Sequence, residues 1–512
     1  MTITITEMRV LEVNTVALGI PLRLLMEAAG KSVADIIANN VPPDPEHRVV
    51  VLTGKGGNGG DALVASRYLS RLGYRVEVVP AYSPHEIEHP DTRFNYEVVN
   101  RLPSIKIHRP RTHEAIEEAD VIVDGLLGTG VKGELREPIK SMVEKANSVK
   151  ARLKVAIDTP TGLNPDTGEV HGVAFKADIT VTFHDVKPGL LEKIEYAGKV
   201  VVANIGIPRE AWTYVGPGDV IHRIPKRPRD AHKGMAGKVM IIGGSIRFTG
   251  APALAGMAAL AAGADLAYIV APETVRGIIA SYSPELITLP YKGNYLSIED
   301  IHDILEYIDT IKPHVVLIGP GLGDRPESIE AVKKLLPELI KREKYLVLDA
   351  DALKAVKVDE TTFEDKAVLT PHRGEFKRIT GAELTGDLGK DGETVMHYAS
   401  KLKSTILLKA PVDIISDGVN TRYNRTGNPY MSIGGTGDVL SGLTATFLAQ
   451  TKNPFMAACI AAYVNGLAGD YLAKRGEKVS PINMIKVIPR IITNPLDTHL
   501  ETYISGRNYI VS

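Results

Sequence analysis

Gly434, Gly435, Thr436, Gly437 and Asp438 stand directly before the apolar run VLSGLTATFLA (439–449). A glycine-rich turn that opens a helix gathers backbone N–H groups into an anion site. A carboxylate at that positive end makes chemical sense as a base. It would take a proton from a hydroxyl while the amides hold a transferring phosphoryl group. The implied chemistry is phosphate transfer from a nucleotide to an alcohol. The bland alternative is a tight turn with Asp438 as a first-turn helix residue. A second glycine cluster, TGKGGNGGD (53–61), contains Gly56, Gly57, Gly59 and Gly60, which would let backbone approach a pyrophosphate closely.

These segments need strands to carry them. In the first half, strand-like runs fall at 49–53, 75–79, 121–125, 154–158, 179–183 and 200–204. In the second half they fall at 238–244, 265–272, 315–321, 345–351, 367–371 and 404–409. Helical patterns such as DALVASRYLSRLG (61–73) intervene. Continuous Val/Ile/Leu runs between helices predict parallel sheets covered on both faces. In such sheets ligands bind beyond the carboxyl ends of the strands. The segments TGKGGNGGD, DGLLGTG, DTPTG, GPGLG, DADAL and TPHRGEF all fall there, so both halves are expected to hold a site. The segment HRIPKRPRDAHKG (222–234), proline-containing, basic and nearly devoid of apolar residues, reads as a linker. It places a boundary at 224/225. The N-terminal ITITEM reads as strand-like, either an interface element or a frayed end.

At 512 residues the chain is too long for one core. Its 44% hydrophobic and 24% charged residues are the balance of a globular protein. A net charge of −1 gives no general attraction to nucleic acid or anionic membranes. No apolar run approaches a membrane span, and the N-terminus lacks the features of a signal peptide. The single cysteine, Cys459, lies in the apolar run MAACIAAYV, where a buried core residue is expected and a nucleophile is not. No Cys/His cluster has zinc spacing. A cytoplasmic enzyme with no nucleic-acid or membrane partner is expected, and a homo-oligomer.

Seven segments line up in order in the second half: HKGMAGKVMIIGGS (232–245), FTGAPALA (248–255), GPGLG (319–323), DADAL (349–353), TPHRGEF (370–376), LLKAPVDII (407–415) and NRTGNPYMSIGGTGDVLSG (424–442). The set resembles the carbohydrate-kinase-like domain of the NAD(P)H-hydrate dehydratases, within the ribokinase-like superfamily. The resemblance covers 225–510. It implies that NADHX or NADPHX, the nicotinamide ring hydrated across its 5,6 bond, is phosphorylated on the added hydroxyl and then loses phosphate. Bacterial and archaeal members use ADP, giving AMP and phosphate; eukaryotic members use ATP. Carried over by motif, Asp438 would be the base, with Gly435, Thr436 and Gly437 forming the anion hole. Lys409, Ala410, Pro411, Val412 and Asp413 would line the nucleotide site. Ala253, Gly323 and His372 would contact the hydrated ring nucleotide. Each has a plainer reading: Ala253 as helix packing, His372 as a helix cap, Lys409 as an exposed lysine. Mg²⁺ is expected with the donor phosphates. Asp349 and Asp351 are possible outer ligands, or structural hydrogen-bonding residues.

In the first half LMEAAG (25–30), TGKGGNGGDALVASRYL (53–69), DGLLGTGVKGE (124–134) and DTPTGLNPDTG (158–168) resemble the epimerase domain of the same repair system, over about 1–215. That domain interconverts the R and S hydrates, of which only S is a dehydratase substrate. The resemblance implies a K⁺ ion on Asn58, Asp124 and Thr161. It implies nucleotide contacts from Gly57, Asn58, Gly59, Gly60 and Asp61, and from Gly128, Thr129, Gly130, Val131, Lys132, Gly133 and Glu134. Asp158 would face the ring as acid/base, or cap the following turn. Where the family has Asn and Gly, this chain has Gly57 and Ala62, which removes a side-chain role at 57. The expected fold is therefore α/β, with a Rossmann-like three-layer domain at 1–224 and a ribokinase-like domain at 225–512. Two other readings compete: a vitamin-precursor kinase behind a non-catalytic binding domain, and an N-terminal scaffold.

Overall fold

A computed structural model describes residues 2–128, 133–230 and 232–504. The chain divides into two compact units, Met1–Pro208 and Arg209–Ser512. The division falls ahead of 224/225, where the linker composition puts it. Residues 209–223 belong to the second unit because Asp219 is buried against Arg422. Arg422 also donates to the carbonyls of Trp212 at 2.9 Å and Tyr214 at 2.8 Å.

The first unit is built on a seven-stranded sheet of β1 (Arg48–Thr53), β2 (Arg75–Pro80), β3 (Ile105–Ile107), β4 (Val121–Gly125), β5 (Leu153–Ile157), β6 (Ile179–Phe183) and β7 (Lys199–Ala203). The order is β3-β2-β1-β4-β5-β6-β7, all parallel. Chain direction across the sheet reverses between β1 and β4. That switch point leaves a crevice at the carboxyl ends of those two strands, as in Rossmann-type sheets. The N-terminus is not a strand. Thr4 and Glu7 form a reciprocal capping box, and the helix Ile5–Ala17 follows.

The second unit carries nine strands: β8 (Lys238–Ile242), β9 (Leu266–Pro272), β10 (Ile287–Tyr291), β11 (Val315–Ile318), β12 (Tyr345–Leu348), β13 (Ala367–Leu369), β14 (Thr405–Leu408), β15 (Asp413–Ser416) and β16 (Thr421–Asn424). Their order is β10-β9-β8-β11-β12-β13-β14-β15-β16. Only β15 and β16 are antiparallel to their neighbours. Alternate residues of single strands enter two different cores. Val239 and Ile241 pack with the helices Gly250–Ala261, Thr436–Thr451 and Pro454–Lys474; Met240 and Ile242 pack with Ile301–Ile311 and Pro326–Lys341. That two-sided burial is why the strands read as unbroken apolar runs. The helix Pro454–Lys474 is long and apolar enough to cross a bilayer, contrary to the run-length expectation, but 89% of its apolar window is buried. Cys459 on it is fully buried, and burial pushes its thiol up to about 12.

Candidate functional sites

In the first unit a cleft of about 490 Å³ opens beyond the ends of β1, β4 and β5. Gly56, Gly57, Asn58 and Asp61 line it from the start of the helix Gly57–Leu72. No side chain caps that helix, so its first amides are left for a ligand. The four glycines divide by role. A Cβ on Gly56 or Gly57 would meet nothing, whereas one on Gly59 would come 2.1 Å from the Gly54 carbonyl oxygen. A Cβ on Gly60 would come 2.5 Å from Met26. Gly59 and Gly60 therefore seat the helix on its neighbours and are not among the cleft-lining residues. Gly128 lines the cleft, while Gly133 and Glu134 are exposed outside it. Thr129, Gly130, Val131 and Lys132 lie outside the described residues.

Asn58, Asp124 and Thr161 come together around Leu127. Thr161 Oγ1 donates to Asp124 Oδ1 at 2.8 Å, and the Thr161 amide donates to Oδ2 at 2.8 Å. The Leu127 amide donates to Thr161 Oγ1 at 3.0 Å, and Asn58 Nδ2 donates to the Leu127 carbonyl at 3.3 Å. Asp124 is fully buried. Burial pushes it up to about 6 against its hydrogen bonds to Thr161 and Leu126.

Asp158 stands just past β5 with a left-handed φ of 59°. It is a side chain held in a sparsely populated backbone region at a cleft. Its Oδ1 accepts from Lys187 Nζ at 2.5 Å, from the Phe183 amide at 3.2 Å and from Thr182 Oγ1 at 3.3 Å. Lys187 is fully buried and also donates to Thr182 Oγ1 and the Phe183 carbonyl. The turn-cap role weighed for Asp158 is thus replaced by an ion pair to a lysine on the loop after β6. Sequence reading missed Lys187, and it missed Glu12 and Arg9, which line the same cleft from the helix Ile5–Ala17.

In the second unit, the loops after β8, β11, β12, β13 and β14 carry Ser245, Gly323, Asp349, His372 and Lys409. The helix Thr436–Thr451 points its N-terminus toward them. Gly435 precedes it at φ 98°, and a Cβ there would press on Leu254 and Pro481 at 2.8 Å, so the position requires glycine. Lys409 Nζ donates to Asp349 Oδ1 at 2.9 Å and lies 4.0 Å from Glu375 Oε2. A Cβ on Gly437 would sit 3.7 Å from the same nitrogen. Lysine and helix N-terminus thus face one point. Burial would lower Lys409, but the charges of Asp349 and Glu375 hold it above its ordinary value. Asp438, in the first helical turn, is pushed up to about 7 by burial and by Asp349, against the pull of Lys409. Thr370 Oγ1 donates to Asp349 Oδ1 at 2.8 Å, leaving Oδ2 without a hydrogen-bond donor among the described residues. Asp351 pairs instead with Lys354 at 2.7 Å.

A second cleft, of about 510 Å³, runs from this point. Lys409, Ala410, Pro411, Asp413, Thr436 and Gly437 line it; Val412 and Gly435 do not. Asp413 shapes the loop, accepting from the Ala410 amide at 3.0 Å and from Asn424 Nδ2 at 2.9 Å. Leu440 and Asn465 were missed as lining residues, and Asn465 carries a buried amide oxygen with no hydrogen-bond partner among the described residues. His372 does cap the next helix, its Nδ1 accepting from the Gly374 and Glu375 amides, and its ring stays exposed. Ala253 is buried in the helix core. Gly323 has a left-handed φ of 82°, and a Cβ there would sit 3.8 Å from Ser245 Oγ.

A family model described as NAD(P)H-hydrate dehydratase matches residues 239–490, and one described as YjeF-related protein N-terminus matches 23–189. A protein of Hyperthermus butylicus, named bifunctional NAD(P)H-hydrate repair enzyme Nnr, is 42% identical over 97% of this chain and 93% of its own length. The chain belongs to the bifunctional NAD(P)H-hydrate repair enzymes. The namesake protein of Pyrobaculum aerophilum is likewise 42% identical, over 96% of this chain and 98% of its own. Among solved structures, the ADP/ATP-dependent NAD(P)H-hydrate dehydratase of Bacillus subtilis is 25% identical, covering 55% of this chain and 99% of that one with a TM-score of 0.48. Membership of this repair family accounts for two clefts, one in each unit of a single chain.

Proposed function

We propose that the second unit dehydrates S-NADHX and S-NADPHX at the expense of ADP, and that the first unit interconverts their R and S forms. The carrying observation is the convergence of Asp438, Lys409 and an uncapped helix N-terminus at one end of a cleft of nucleotide size. Asp438 takes the proton from the ring hydroxyl as its oxygen attacks the terminal phosphorus. The amides of Thr436 and Gly437 and the Lys409 ammonium stabilise the charge that develops on the phosphoryl oxygens. The bond to the departing AMP breaks. Phosphate then leaves the ring carbon with the carbon–oxygen bonding pair as the nitrogen lone pair forms a carbon–nitrogen double bond, and loss of a proton from the neighbouring ring carbon to solvent returns that pair to nitrogen and gives NADH or NADPH. Mg²⁺, when bound, would neutralise charge on the donor phosphates, and Asp349 is the carboxylate we assign to hold it. Asp351, paired with Lys354, is not.

In the first unit Asp158 is the acid/base at the inverting carbon, and Lys187 positions it. Asn58, Asp124 and Thr161 would hold K⁺. Their hard oxygens fit it, and among the described residues no cationic side chain offsets the buried charge of Asp124.

The test is to incubate an R/S mixture of NADHX with the chain, Mg²⁺, K⁺ and either ADP or ATP, and to follow the near-ultraviolet absorbance of the reduced ring. Recovery of NADH from the whole mixture, faster than spontaneous epimerisation, is expected, with ADP the faster donor. Asp158→Asn is expected to recover only the S fraction. Wild-type epimerisation in Asp158→Asn would sink the role given to that residue.

A further inference from the structure

The first cleft holds more carboxyls than its proposed acid/base. Glu12, Asp61 and Asp158 all line it. Asp158 enters as an ion pair with Lys187. Glu12 and Asp61 have neither a hydrogen bond nor an ion pair among the described residues; burial and the charges of neighbours act on them. Glu12 is half-buried with its carboxyl toward the cleft, on the helix Ile5–Ala17, while Asp158 comes from the end of β5. Apolar Met8, Leu22 and Leu25 stand beside it.

We infer that Glu12 is a second catalytic carboxyl of this cleft, working with Asp158 as a donor–acceptor pair in inversion of the hydrated ring carbon. The inference rests on the epimerase reading of the first unit. Inversion at a carbon bearing both a hydroxyl and the ring nitrogen needs no oxidant. One carboxylic acid gives its proton to the hydroxyl. The carbon–oxygen bond breaks, its electron pair leaves with water, and the nitrogen lone pair forms a carbon–nitrogen double bond. A water adds to the other face, the double-bond pair returns to nitrogen, and the second carboxylate takes the proton of the incoming water. One water leaves and one enters, and the two carboxyls exchange protonation states. The scheme needs one protonated and one ionised carboxyl at the same time. Asp158 has an ammonium and two further donors on Oδ1. Glu12 has no hydrogen-bond donor on it, and four groups face it: Arg9 on its own helix, and Asp158, Lys187 and Asp61 from other elements. Burial and the charge of Asp158 push Glu12 up to about 7, against Lys187 and Arg9. Asp61 is almost wholly buried beneath the first turn of its helix and less open to a ligand.

The experiment follows R/S interconversion by the full chain without nucleotide, so that dehydration is silent, separating the two forms by chromatography. Glu12→Gln is expected to lower kcat about 100-fold with KM held within about threefold. Glu12→Asp should recover part of the rate, which a variant that merely fails to fold would not do. The fall of kcat/KM above about pH 7 in the wild type should be absent from Glu12→Gln. Interconversion in oxygen-18 water should place one labelled oxygen on the ring per inversion. Four results would overturn the inference: near wild-type kcat in Glu12→Gln, loss in KM alone, persistence of the alkaline limb, or Asp61→Asn removing the limb instead. A wild-type chain that does not interconvert the forms would instead overturn the epimerase reading, and the role of Glu12 with it.

Discussion

Asp438, as the proposed base, acts only when ionised, and its surroundings oppose that. Burial and the Asp349 charge push it up to about 7, with Lys409 pulling the other way. Below that value the carboxyl holds its own proton and the base is lost. Dehydration of S-NADHX is therefore expected to rise with pH through about 7 and flatten above it, which a pH profile of kcat would show. Asp349→Asn removes one of the two raising influences and should move that limb to lower pH. Asp438→Asn should lower kcat about 10²–10⁴-fold, with KM little changed. At this scale the sequence is readable where the chemistry is local. Asp438 lies beside its own glycine turn, and its position in the first helical turn follows from spacing alone. Lys187 is unreadable, because the carboxylate it meets is 29 residues away and only the sheet brings the two together. Asn465 looks like any polar residue on an apolar helix until the cleft beside it is seen.

The strands show the same limit at the next scale. Those that pass through the middle of a sheet are visible as Val/Ile/Leu runs because both faces are covered. The ones not foreseen are β3, β10, β15 and β16, three to five residues each and lying at or next to a sheet edge, too short or too mixed in composition to stand out as apolar runs. ITITEM misleads for a different reason: alternating β-branched residues imitate a strand, while the Thr4/Glu7 capping box starts a helix. That helix carries Glu12, so the misreading hid a cleft residue as well. A charged side chain inside β2 is a further departure from the apolar pattern. Glu77 is buried and gathers Arg48 at 2.9 Å and His108 at 2.6 Å from the flanking strands β1 and the loop after β3. The Arg48 hydrogen bonds above all, with that from His108, hold it down at about 2 against burial. Its folded value lies below the ordinary 4.5, so its stabilisation is complete above pH 4.5 and is lost as pH falls toward 2. Glu77→Gln leaves Arg48 partly buried without its partner. It should cost about 3–5 kcal/mol near neutral pH, read as a lower unfolding temperature. The gap from wild type should narrow as the pH is lowered through that window.

At the scale of the molecule, the two units divide one chemical problem. With the dehydratase confined to the S form, as proposed, a chain with that activity alone would strand the R form until it inverts spontaneously. A chain with the epimerase alone repairs nothing. The two clefts lie in separately packed units, each closed around its own sheet, and each set of proposed catalytic residues is drawn from one unit. Each site is expected to act on free hydrate, whichever chain carries the other site. This has a consequence that single-site variants can test. Asp158→Asn should stop at the S fraction, and Asp438→Asn should interconvert the two forms without making NADH. An equimolar mixture of the two variant chains should recover NADH from the whole R/S mixture, at a rate that depends on total protein and on accumulated S-NADHX. A mixture that stalls at the S fraction, together with an Asp438→Asn chain that fails to interconvert the free forms, would mean that the hydrate passes between sites without release, and the linkage of the two units in one chain would then be a catalytic requirement. Full recovery would mean that the hydrate diffuses from one site to the other and that linkage of the two units is not a catalytic requirement.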